Sequence, residues 1–156
     1  MIENATGWAV LLSIRKQHAA NIYAGTKTVE LRKTAPRFSP GSWNTAKYPL
    51  RVYMYESKAD GGAGAVTGFF DCHGYLPTCG EQKHDIARMA QVSMDYLLEY
   101  AAGGWVYAWM VKNPTHFPEP VALSTLGIDR APQSWRYLGT DACTTLEVAA
   151  RGSPAE

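Results

Sequence analysis

No run in this 156-residue chain approaches the roughly 18 apolar residues that carry a helix across a bilayer core, which excludes a transmembrane helix and any expected membrane partner. Cysteine is scarce, with three residues and hence an odd number. The short apolar stretch of the N-terminal MIENATGWAVLLSIRK follows an acid and is not followed by a small-residue cleavage site, so it reads as a strand and not as a secretory leader. Together these point to a reducing, cytoplasmic setting without disulfides, in which the Asn4-Ala5-Thr6 sequon is irrelevant. Internal repeats and low-complexity tracts are missing. So is a Gly-x-Ser-x-Gly elbow, which leaves acyl-enzyme chemistry without support. The glycine-rich ADGGAGA (residues 59–65) lacks the Gly-Lys-Ser/Thr of a phosphate loop. Cys72, His73, Cys79 and His84 lie close together, but there is no Cys-x-x-Cys pair, and Cys72 and His73 would face opposite sides of a strand. Structural or surface roles are expected for them, with no metal and no cofactor. Cys143 suggests nothing catalytic.

What is present is a 46% hydrophobic, 12% aromatic composition, enough for one packed domain of this length without staples. The expected organisation is a single domain over residues 1–148 and a flexible C-terminal tail over 149–156. The formal charge of +1 conceals an asymmetry. Between residues 15 and 51, eight basic residues face the single acid Glu30, a net +7, while the rest of the chain carries −6. A segment so poor in acids attracts anions, nucleic acid first among them, if it folds onto one face.

Periodicity gives a coarse element order. WAVLLSI (8–14) is an apolar run of strand length. QHAANIY (17–23) places Ala19, Ile22 and Tyr23 at helical spacing, and Gly25 stops the helix. TVELR (28–32) alternates, with Val29 and Leu31 inward and Thr28, Glu30 and Arg32 on the other face. Residues 34–49 read as loop, LRVYMYE (50–56) and VTGFFDCHG (66–74) as strands, and residues 84–100 as one long helix ended by Gly103-Gly104. WVYAWMV (105–111) is a further strand, and Val121-Ala122-Leu123 follows the stretch from Pro114 to Pro120. The alternating aromatics Tyr53, Tyr55, Trp105, Tyr107 and Trp109 suit core packing, with one or two available to stack on a base. Five or six short strands with two or three helices predict an α+β fold, a small mixed β-barrel with flanking helices, and not a parallel βαβ sheet.

One cluster carries the chemistry. In Gly25-Thr26-Lys27-Thr28-Val29-Glu30-Leu31-Arg32-Lys33, strand alternation puts Glu30 and Arg32 on one face, and Lys27 reaches the Glu30 carboxylate across the turn. Such a group suits a pocket for a polar heterocycle beside a phosphate: Glu accepts from an exocyclic amine and Arg holds an anion or acceptor. Spacing alone equally suits an ordinary surface ion pair, worth under about 1 kcal/mol.

The stretch LSIRKQHAANIYAGTKTVELR (12–32) resembles the signature of the ASCH domain family of the PUA-like superfamily. Leu12, Ser13, Ala19, Gly25, Lys27, Glu30 and Arg32 fall in register without a gap. VYMYES (52–57), VTGFFDC (66–72) and APQSWRYL (131–138) look like later strands and the closing aromatic motif of the same family. One departure is Gln17-His18, where many members have Gln-Pro. The resemblance implies a small barrel whose cleft is lined by the Gly-x-Lys-x-x-Glu-x-Arg segment, and binding of RNA or a modified nucleobase. Lys27 and Glu30 are the candidate reactive residues, with Ser13, Arg32, Lys33, Ser57, Gln133 and Ser134 as candidate ligand-binding residues. Some ASCH proteins are amidohydrolases that deacylate acetylated cytidine with a lysine, a threonine three residues later and a helical glutamate. Lys27 matches the lysine, whereas Glu30 stands at the threonine position. Glu81 and Glu99 are the available flanking glutamates. A ribonuclease is a further alternative within the family, and a protein-interaction module of a phage or mobile element is an alternative outside catalysis.

Overall fold

The computed structural model describes residues 9–36, 49–78 and 83–152. Ala9–Ile14 (β1) lies inside a five-stranded sheet, and its unbroken apolar run reflects burial on both faces. Val10, Leu12 and Ile14 pack with Ala19 and Ile22 of Lys16–Ala24 (α1) on one side. Ala9 and Leu11 pack with Cys143 and Leu146 of Thr140–Arg151 (α4) on the other. β1 pairs in parallel with Leu50–Glu56 (β3) and antiparallel with Trp135–Tyr137 (β8). Beyond β3 come Ala65–Cys72 (β4) and, at the edge, Lys112–Val121 (β7), both antiparallel. A second sheet has the order Val29–Arg32 (β2), Tyr107–Met110 (β6), Tyr75–Pro77 (β5). Its inner residues Val29, Leu31 and Ala108 pack with Lys83–Ala90 (α2) and Met94–Ala101 (α3).

The α+β class, β1, α1 with its glycine stop, β2 and β3 agree with the sequence reading. Gly25 takes φ +85, and the Gly25 and Thr26 N–H groups donate back to the Ile22 and Asn21 carbonyls, the geometry only a glycine enters without strain.

Several expectations are corrected. The strands form two sheets, and no closed barrel is present among the described residues, where four α-helices replace the expected two or three. The parallel β1–β3 pair, joined by a connection that contains α1, also makes the larger sheet mixed. The single helix over 84–100 is two: Gln91 takes a left-handed φ of 60, and Ser93 caps α3 by accepting from the Tyr96 N–H. The stretch from Pro114 to Pro120 falls within a ten-residue strand, its prolines tolerated because β7 is an edge strand. α4 runs to Arg151, with its Cys143 and Leu146 buried, so helix continues past residue 148 where a tail was expected. The loop positions 37–48, Cys79, Glu81 and residues 153–156 lie outside the described residues.

Candidate functional site: a cleft over a buried ion-pair cluster

A cleft of about 400 Å³ opens where the end of β1, the first turn of α1, β2, the α2–α3 junction and the segment before β8 converge. Its floor is the predicted cluster. Lys27 is 2% exposed and Glu30 5%, so the face opposite Val29 and Leu31 is a buried wall and not an open surface. Lys27 Nζ lies 3.2 Å from Glu30 Oε1, and Arg32 reaches Glu30 Oε2 through Nε at 2.9 Å and Nη2 at 2.8 Å. Burial by itself would raise the Glu30 carboxyl, but the Arg32 and Lys27 charges together outweigh it and hold it below the usual carboxylate range.

The break between α2 and α3 builds this floor. Ending α2 at Ala90 leaves its last carbonyls without helical partners. Lys27 Nζ donates to the Ala90 carbonyl at 2.6 Å, and the Thr28 N–H donates to the Met89 carbonyl at 2.8 Å. A cation at a helix C-terminus also meets the negative end of the helix dipole. The residues that terminate one helix therefore fix the start of β2 and the position of the buried lysine.

Arg32 ties the floor to the opposite wall. Nη2 donates to the Ser13 carbonyl at 2.7 Å and Nη1 to Ser134 Oγ at 3.2 Å, while Ser13 Oγ donates to the Pro132 carbonyl at 2.6 Å. Ser13, Ser57, Gln133 and Ser134 all line the cleft with Lys27, Glu30 and Arg32, so the structure brings together every candidate from the sequence except Lys33. Lys33 lies outside the lining, its ammonium 5.1 Å from the centroid of the Tyr100 ring.

Among the further lining residues are Arg15, His18, Tyr96 and Tyr100. Arg15 pairs with Asp60 at 3.2 Å. His18 Nδ1 and Ser57 Oγ are both buried without a hydrogen-bond partner. Burial and then the Lys27 charge lower the His18 pKa, against Glu30 and with Arg32 and Arg15. Tyr96 and Tyr100 stack with centroids 6.0 Å apart and planes 8° from parallel. Their i, i+4 spacing was the available sequence signal. Glu99, exposed on α3, is not part of the lining. No group of three His, Cys, Asp or Glu among the described residues is arranged to hold a metal ion. Cys72 is buried, with its thiol donating to the Gly74 carbonyl and its pKa pushed up to about 12 by burial.

The two sheets and the cleft between them define an α+β domain. Within that class the chain has the ASCH fold. The crystal structure of ASCH from Zymomonas mobilis superposes with a TM-score of 0.71 at 20% identity, covering 90% of this chain and 94% of that one. A serine-to-alanine variant of the Zymomonas mobilis protein gives a TM-score of 0.72 at 19% identity over 90% of this chain and 95% of its own. A tyrosine-to-phenylalanine variant gives 0.72 at 20% identity over 90% and 96%. No family model and no curated protein matches the chain by sequence. No helix among the described residues is long and apolar enough to cross a membrane.

Proposed function

We propose that the cleft binds a nucleobase, modified or carried in nucleic acid, with RNA as the first candidate. The observation that carries this reading is the ionised carboxylate of Glu30, clamped between two cations at the floor of a cleft whose volume falls in the roughly 300–1,000 Å³ range of small-ligand sites. Glu30 Oε1 accepts from Lys27 and retains a second lone pair for an amino group on a base edge. Arg32 donates from Nε, Nη1 and Nη2 to protein atoms, so its role is to position Glu30 and the Ser134 wall. Direct contacts then fall to Glu30, Lys27, Ser57, Gln133 and His18. The deacylase chemistry of some ASCH proteins would need a helical glutamate beside Lys27. Glu99 stands outside the cleft, and among the described residues no helical glutamate lines it.

The test is retention of modified and unmodified nucleosides and short RNA by the purified protein, read by mass spectrometry beside Glu30→Gln. Retention by the wild type that falls about tenfold or more in Glu30→Gln is expected, the loss corresponding to one charged hydrogen bond. Absence of retention for every nucleoside and RNA, with the protein folded, overturns the reading.

A further inference from the structure

We propose that the ligand continues out of the cleft over Tyr96 and Tyr100, so that the protein takes a single-stranded oligonucleotide and not a free nucleoside. This inference rests on the nucleobase reading of the cleft and adds the neighbouring unit. Leu97 and Ala101 already supply the buried face of α3, and Tyr96 stands 46% exposed at the cleft wall. Its ring lies nearly parallel to that of Tyr100 one helical turn on, which presents a flat aromatic ledge at the mouth of the site. Bases stack on such surfaces without sequence preference, at roughly ten- to hundredfold in affinity per base.

Charge gives the ledge a direction. Lys33 leaves the end of β2 outside the cleft, with its ammonium over the Tyr100 ring. Asp95 and Glu99, each one residue before a tyrosine, are exposed about 100° around the helix from the tyrosines. A phosphate is repelled on the Asp95–Glu99 side and attracted on the Lys33 side. A base seated on the Glu30 floor therefore has a favourable exit for its backbone past Lys33, with the next base on Tyr96. A free nucleoside fills the floor and leaves ledge and lysine unused.

The test digests one total-RNA sample in two ways, partly to fragments of a few nucleotides and fully to nucleosides, and measures retention of each by wild type, Tyr96→Ala, Tyr96→Phe and Lys33→Ala. The expected result is stronger retention of fragments than of nucleosides. Tyr96→Ala should cut fragment retention about tenfold and nucleoside retention by a clearly smaller factor, Tyr96→Phe should keep both, and Lys33→Ala should lower fragment retention with a shallower salt dependence. Nucleosides held as well as fragments, or a Tyr96→Ala protein indistinguishable from wild type, overturn this inference while the reading of the cleft stands. If neither digest is retained, both fall.

Discussion

Glu30 is the acid that makes a buried lysine and a partly buried arginine tolerable, and its neighbours are unequal in what they lose without each other. Glu30→Ala strands Lys27 and Arg32 in a wall where Lys27 has only the Ala90 carbonyl left. Removing one partner of a buried ion pair costs about 3–5 kcal/mol, and a loss in that range by urea denaturation is predicted here. Lys27→Met leaves Glu30 with both contacts to Arg32 and places an apolar chain of similar length in the lysine's slot. It should cost about 1–2 kcal/mol in the same measurement. Equal losses for the two variants would contradict the clamp. His18 adds a pH dependence. Its pKa falls on folding, so below its ordinary value of 6.5 the unfolded chain takes up the proton more readily and acid favours unfolding. Glu30, held low in the fold, contributes stability that is present above its ordinary value of 4.5 and lost as pH falls through its lowered folded-state value. Melting temperatures should therefore drop first from about pH 6.5 downward, and the drop between about pH 6.5 and 5.5 should be shallower in His18→Gln, with a second decline at stronger acidity retained.

Among the elements, those whose pattern and terminator agree were legible: β1 as an apolar run, α1 ended by Gly25, and β2 and β3 by alternation. Alternation also put Glu30 and Arg32 on one face, which is why the cleft floor could be read from residues 27–32. Its aromatic wall could not. A continuous helix over residues 84–100 sets its face by Ile86, Met89, Ala90, Met94, Leu97 and Leu98, with Tyr100 inside that stripe and Tyr96 at its margin, so nothing local aims the pair at residues 27–32. The turn at Gln91 resets the helix, so that Leu97 is buried while Leu98 is exposed and Tyr96 meets the cleft. Nothing local demands that turn as a glycine would. The tertiary demand is the pair of freed carbonyls that receive Lys27 and Thr28. His18 was visible only as a departure from a motif, because its neighbours Lys27 and Glu30 are brought to it by folding. β7 shows the opposite failure: its prolines argue against a strand in general but not at a sheet edge. The approach of β7 to β4 also sets a prediction. A Cβ at Gly68 would stand 2.2 Å from the Thr115 carbonyl oxygen and 2.5 Å from Tyr23 Oη, while one at Gly25 would meet no atom within 4 Å. Gly68→Ala should cost about 3 kcal/mol from backbone overlap, and Gly25→Ala about 1 kcal/mol from its left-handed φ alone, both read by chemical denaturation.

At the scale of the molecule, folding spends part of the charge asymmetry. Of the eight cations between residues 15 and 51, Lys27 and Arg32 are bound to Glu30. Arg15 pairs with Asp60, and Arg51 pairs with Asp71 at 2.9 Å while its guanidinium lies 3.9 Å from the Phe69 ring centroid. The acids of the negative remainder thus return to neutralise the positive segment. Among the described residues of that segment, Lys16 and Lys33 are the cations without an ion-pair partner. On the proposed reading, a phosphate chain would meet a few unpaired cations and not the full net +7, which makes the salt dependence diagnostic. Each phosphate contact to a single strand adds about −0.7 to the slope of log K against log salt concentration. With Lys16 and Lys33 engaged, and Arg37 and Lys47 as well, the slope for a short single-stranded RNA should be no steeper than about −3. A broad face using the full net +7 would give roughly −5. Fluorescence anisotropy of a labelled pentanucleotide across a salt series separates the two, and Lys33→Ala should remove close to one contact from the slope. A slope near −5 that Lys33→Ala leaves unchanged would mean that the strand is held by a surface other than the edge of this cleft.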